Sequence, residues 1–241
     1  MLNLVAIFAV ICAVTYVVVH FPNARRGLTI SIAIVVGAYF AYKFFFPTYA
    51  WNQKLTVTIG TPAGPVTASS VTRITWTAEP QLLPEIRGHS TTTTGEAAFV
   101  DLGEGKYVVA LLRDADALVR RAIRYAAPGT PSRDVLPHIN RKIGEVMLLP
   151  QVLYPRLVTF ADISDPATVR EINPGDASAS LGPGYSVHSI TLTVTAEPVT
   201  TGNIDELFPC LSAGVHCIPE NTSLPYDHTA RFIPNYFFRS Q

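Results

Sequence analysis

The residue types able to do chemistry gather in a few short stretches. Cys210, His216, Cys217 and His228 offer four zinc-type ligands within a short span. The C-x6-C spacing with an adjacent histidine does not match the usual zinc patterns, so no metal ligand is assigned. In an exported domain the same cysteines close a disulfide, which makes Cys210 and Cys217 the disulfide candidates. Two unpaired buried thiols remain the alternative for a cytoplasmic domain.

Asp162 and Asp165 follow an apolar stretch and have the types needed for paired acid–base work. Asp165-Pro166 equally suits turn and helix-cap chemistry, which is the commoner use of that pair. Ser186 and His188 stand together after a glycine turn, but no Gly-x-Ser-x-Gly elbow surrounds them. Gly103-Glu104-Gly105 is a hairpin signal and not a phosphate cradle, because no helix start follows it. No catalytic residue and no cofactor is assigned.

Charge supplies one further candidate. Arg113, Arg120, Arg121, Arg124, Arg133, Arg141 and Lys142 face only Asp114, Asp116 and Asp134 over the same stretch, a local charge of +4. Arg113, Arg120, Arg121 and Arg124 form the candidate basic interaction patch, suited to lipid headgroups or an acidic partner. A solvated helix face accounts for the same pattern. The aromatic platform that single-stranded nucleic acid requires is missing, so no nucleic-acid partner is expected.

The elements that must carry these residues begin with two long apolar runs, Leu2–Phe21 and Leu28–Phe46. About 20 apolar residues cross a bilayer as a helix, and a single segment in lipid must be helical to satisfy its own backbone. The pattern predicts a transmembrane hairpin over 1–48, with Arg25 and Arg26 in the link as topology determinants. Basic short links stay on the inner side, which sends both termini outward. Ala33, Gly37 and Ala41 form a small face on the second run, suited to close helix packing. No basic n-region or small-residue cleavage site marks the first run as a signal peptide.

The whole chain balances 18 Lys+Arg against 18 Asp+Glu. Three of the basic residues (Arg25, Arg26, Lys43) precede Ala50 and none of the acidic ones does, which leaves the remainder at −3. That near-balance excludes a global polyanion or polycation partner.

Residues 49–241 are long enough for one domain with a sizeable core. Alternation predicts strands at Gln53–Thr61, Val71–Ala78, Glu96–Leu102, Lys106–Leu112, Leu157–Phe160 and Val187–Thr195. Asp114 caps a predicted helix whose apolar stripe runs through Ala115, Leu118, Val119, Ala122 and Ala126, with Arg120, Arg121 and Arg124 facing away. Glu79–Thr94 and the proline-rich stretch to Arg141 read as loops, and Asp165-Pro166 as a helical turn through Val169. Short helices are expected at Asp176–Leu181 and Asn203–Phe208, and the aromatic tail after Ile218 has no period. Strands joined by turns predict an α+β fold: a mainly antiparallel β domain with one or two packed helices.

The segments from Trp51 (WNQKLTV), Val100 (VDLGEGKYVVALL), Tyr154 (YPRLVTFADISDPATV) and Gly182 (GPGYSVHSITLTVTAEPVT) resemble a group of uncharacterised, membrane-anchored bacterial envelope proteins. That resemblance covers most of the outer domain. It implies an exported location and brings no activity with it. The expectation is a non-enzymatic protein in the bacterial inner membrane, with two spans and its domain on the periplasmic side. Its partners would be the lipid bilayer and a protein partner or second copy. The alternatives are an anchored binding module for a small molecule or glycan and, ranked below it, an enzyme, with metal dependence as one version.

Overall fold

A computed structural model describes residues 12, 15, 16, 24–81, 88–165, 168–202, 204 and 238–240. The chain separates into two compact units, 1–48 with 77–90, and 49–76 with 91–241.

The first unit carries helix α1, Ala24–Phe45, 22 residues long. At 1.5 Å per residue it spans about 33 Å. Lys43 lies in its last turn, favourable at the negative end of a helix dipole, and Pro47 follows its end. Ile30, Ile32, Ile34, Val36, Tyr39, Phe40, Phe44 and Phe45 are all exposed, while Ser31 is buried. Gly37 has open space around it. Among the described residues no helix is long and apolar enough to cross a membrane. Arg25 and Arg26 fall within the first turn of α1, where the sequence reading places a link before Leu28.

The second unit is mixed α+β with mainly antiparallel sheets. Its first sheet has six strands in the order β10-β3-β2-β1-β9-β6. These are β1 (Thr48–Thr61), β2 (Gly64–Ala78), β3 (His89–Glu96), β6 (Val146–Leu148), β9 (Ser186–Thr195) and β10 (Arg239–Ser240). The second sheet orders β4 (Ala98–Gly103), β5 (Lys106–Ala110), β7 (Leu157–Phe160) and β8 (Val169–Ile172) in sequence. Helix α2, Ala115–Ala126, follows β5. Among the described residues there are also two single-turn helices, α3 (Ser132–Val135) and α4 (Ser178–Leu181), and 3-10 turns at Leu136–Lys142 and Gln151–Leu153.

Alternation builds the core. Val57 and Ile59 of β1, Ile74 of β2 and Ile190, Leu192 and Val194 of β9 are fully buried. They pack in one cluster with Val119 of α2, Val108 of β5 and Leu157 of β7. The neighbouring residues Val109 and Val158 belong to a second cluster with Phe160, Ile204 and Phe238. Strands β5 and β7 are therefore buried on both faces. Their continuous apolar runs, without alternation, follow from that double coverage.

Several expected elements take different forms. Glu79–Thr94 is not all loop: β3 begins at His89, because a run of β-branched threonines fits a partly exposed strand. Val169 opens strand β8 instead of closing a helical turn, with Val169 and Ile172 inward and Arg170 and Glu171 outward. Pro166 lies outside the described residues. The proline-rich stretch is helical from Ser132 to Lys142 and buries Leu136 and Ile139. Glu96 ends β3 and does not start β4. Arg120 pairs with Asp116 at 3.9 Å, as their i,i+4 spacing predicts, but its side chain is only 14% exposed and so does not face away from the core.

Leu192→Ala should destabilise the domain by about 2–5 kcal/mol, the cost of a cavity at a fully buried leucine. Urea unfolding of the detergent-solubilised chain checks this, with a lower midpoint and an unchanged slope.

Candidate cavity between the sheets and helix α2

The second unit holds a cavity of about 450 Å³. Its deep wall is polar: Gln53 from β1, Ser70 and Thr72 from β2 and Glu96 from β3, each at most 5% exposed. The apolar side comes from Leu55, Ala98, Ala110, Leu118, Leu157 and Ile172. Arg113, Asp114 and Arg121 border it beside α2, and Arg156, the residue before β7, and Glu171 of β8 border it from the second sheet.

Most of the polar groups are committed. The Gln53 amide donates to the Ala115 carbonyl at 2.8 Å and accepts from the Trp51 indole N–H at 3.2 Å, tying β1 to the start of α2. The Ser70 hydroxyl donates to the Glu96 carbonyl at 2.6 Å. The Glu96 carboxylate accepts the backbone N–H groups of Gly202 and Ile204. Arg156 pairs with Glu171 at 3.2 Å and Arg121 with Asp114 at 3.8 Å. The Thr72 hydroxyl has no hydrogen-bond partner among the described residues, and Arg113 has no ion pair among them.

Asp114 adopts a left-handed conformation, φ 59°, and makes no side-chain bond to the helix it precedes. The expected cap therefore exists in position only. A non-glycine residue there costs of order 1–3 kcal/mol, an expense that clusters at binding sites.

The sequence-derived candidates scatter. Arg113 and Arg121 border the cavity, Arg124 is exposed on α2, and Arg120 is largely buried and pairs with Asp116 one turn away. Burial lowers the Arg120 guanidinium below its ordinary value; Asp116 opposes that shift and Arg121 adds to it. The four arginines thus do not share one surface role. Asp162 accepts the Ser164 hydroxyl at 2.6 Å and the Ser164 backbone N–H at 2.9 Å, which makes it a turn residue. Ser186 and His188 are exposed on β9. Cys210, His216, Cys217 and His228 lie outside the described residues, and among those described no group of three or more His, Cys, Asp or Glu could hold a metal ion.

Glu96 is the residue that sequence reading missed. Its one signal is a carboxylate between Gly95 and the small apolar pair Ala97 and Ala98. Gly95 has φ 126°, and a side chain there would meet Val199 and the Val71 carbonyl at 3.0 Å. Close chain approach at Gly95, where Val199 packs, accompanies the reach of Gly202 and Ile204 to the Glu96 carboxylate.

Comparison with known proteins returned no match to any family, curated protein or solved structure. The site stands on its own geometry.

Glu96→Gln should cost about 1–3 kcal/mol, because the new amide turns a donor toward one of two backbone donors. Hydrogen exchange at Gly202 and Ile204 should accelerate together with a lower urea midpoint. The Asp162 carboxyl is held below its ordinary value, first by the Ser164 hydroxyl and then by the Ser164 backbone N–H. Its contribution to stability is present above the unfolded aspartate value and is lost as pH falls through the lower folded value. Ser164→Ala should return the carboxyl midpoint toward the ordinary range in an NMR titration.

Proposed function

We propose that this protein is a membrane-anchored binding module for a small molecule, with no catalytic role of its own. The observation that carries the reading is the 450 Å³ cavity, which combines apolar walls with a few placed polar groups. Ligand pockets have this size and make-up, whereas a domain needed only as a spacer has no reason to keep a hollow edged by buried polar side chains.

The anchor part of the proposal rests on the two apolar runs and on the exposed isoleucine and phenylalanine side chains along α1. Water does not stabilise such a surface, and lipid would. Arg25 and Arg26 support an orientation with the second unit outside, in the bacterial envelope. The segment resemblance described above supports the same location.

A second reading, an accessory subunit that binds a protein partner or another copy, is favoured by one observation. Val146 and Leu148 on the edge strand β6, with Ile143 and Val152 nearby in sequence, are between 53% and 77% exposed. An apolar sheet edge is a site where another chain can add.

Membranes washed with alkaline carbonate should retain the full chain, and a reporter fused after Gln241 should be active outside the cytosol. Native mass spectrometry of the detergent-extracted protein should show a small bound species that Ala98→Phe removes. A single bare mass, with no change in melting across a chemically diverse panel, would overturn the ligand reading. Co-purification of a protein partner that Leu148→Asp abolishes would favour the second reading.

A further inference from the structure

We infer that the cavity takes an uncharged, predominantly apolar molecule, held between the apolar interior and the rim at Val152. This rests on the reading of the cavity as a ligand site and specifies the class of ligand.

Charge balance argues against an ion. Arg113, Arg121 and Arg156 border the space together with Glu96, Asp114 and Glu171, so the bordering side chains sum to zero. Arg121 is paired with Asp114 and Arg156 with Glu171, and the Glu96 carboxylate accepts two backbone N–H groups. Arg113 is exposed to solvent. An ion entering this space sheds hydration and meets no net charge of opposite sign. Contact with an exposed arginine returns little of that cost, because water already screens the guanidinium.

The polar wall makes no demand on a ligand either. Gln53, Ser70 and Glu96 hydrogen-bond within the chain. Among the described residues, no fully enclosed side-chain N or O atom without a partner belongs to a residue that borders the cavity. What a ligand gains here is contact with carbon. Leu55, Leu118, Leu157 and Ile172 supply it inside. The rim continues it: residues 151–156 border the space without a break, and Val152 among them is 77% exposed. An apolar body seated there covers that side chain and removes its surface from water. At about 30 Å³ per displaced water, the space corresponds to roughly 15 waters, which leaves room for a two-ring body.

The test is isothermal titration of the full chain in detergent at neutral pH, with the heat of detergent alone subtracted. The probes share one ring system and differ in charge: 2-naphthylmethanol, 2-naphthoate and 2-naphthylmethylammonium. The alcohol should bind about tenfold more tightly than either ion, for want of a net counter-charge. Glu171→Gln adds one net positive charge to the border and should strengthen 2-naphthoate several-fold. Val152→Ser should weaken the alcohol several-fold; at 77% exposure the residue reports binding and not folding. Either ion binding as tightly as the alcohol to the wild type would overturn the uncharged class and leave a ligand site. A co-purified species identified by native mass spectrometry as an acid or a base would overturn it in the same way. Equal binding of the alcohol to the wild type and Val152→Ser would overturn the rim contact. No binding by any probe, with no bound species in native mass spectrometry, would overturn this inference and the ligand reading together.

Discussion

Antiparallel pairing of β1 with β9 is the constraint on which the second unit depends. It joins Asn52 to Thr195 and Val57 to Ile190, and the ion pair of Lys54 with Glu197 at 3.0 Å closes one end across 143 positions of chain. Side chains alternate with a period of two along both strands. A slip of one residue would turn Val57, Ile59, Ile190, Leu192 and Val194 from the core toward solvent, so burial of that face specifies the register. The same face meets α2, and Gln53 on β1 hydrogen-bonds the Ala115 carbonyl at the helix start. One non-local pairing therefore orders a sheet and positions a helix.

Glu96 performs a comparable task at the other edge. The second sheet buries β5 and β7 on both sides, so a second layer must cover the face away from α2. Ile204 and Phe238 contribute to that layer. The Glu96 carboxylate holds the backbone at Gly202 and Ile204, the Ala97 N–H donates to the Phe238 carbonyl at 2.8 Å, and β10 pairs with Gly95 and Glu96. Three consecutive residues, Gly95 to Ala97, thus organise chain segments more than a hundred positions away. A buried carboxylate is tolerable here because its oxygens are met by backbone donors.

The hollow beside α2 follows from these two arrangements. β1, β2 and β3 turn Gln53, Ser70, Thr72 and Glu96 toward it, and the second sheet and α2 supply the apolar side. Gln53, Ser70 and Glu96 keep hydrogen-bond partners within the chain, so the polar wall is held in place by the fold itself. Strain at Asp114 sits on the same rim, where a chain optimised only for stability would place glycine.

Strand and helix identity was legible wherever one face is buried and the other wet. β9 and α2 show this most clearly, with Ile190, Leu192 and Val194 on one and Leu118, Val119 and Ala122 on the other. Short or polar elements were not legible: β8 has four residues, β6 three, and β3 is largely threonine, too little for periodicity to speak. The apolar composition of the first 48 residues and the near-neutral charge of the rest are properties of the residues alone. Which arginine borders a cavity and which carboxylate grips a distant backbone are properties of three-dimensional neighbours. Local sequence determines how a segment buries its own face and which short-range pairs it makes, such as Arg120 with Asp116; only long-range closure decides that Gln53 meets Ala115 and that Glu96 meets Gly202 and Ile204, because those partners lie 62, 106 and 108 positions apart.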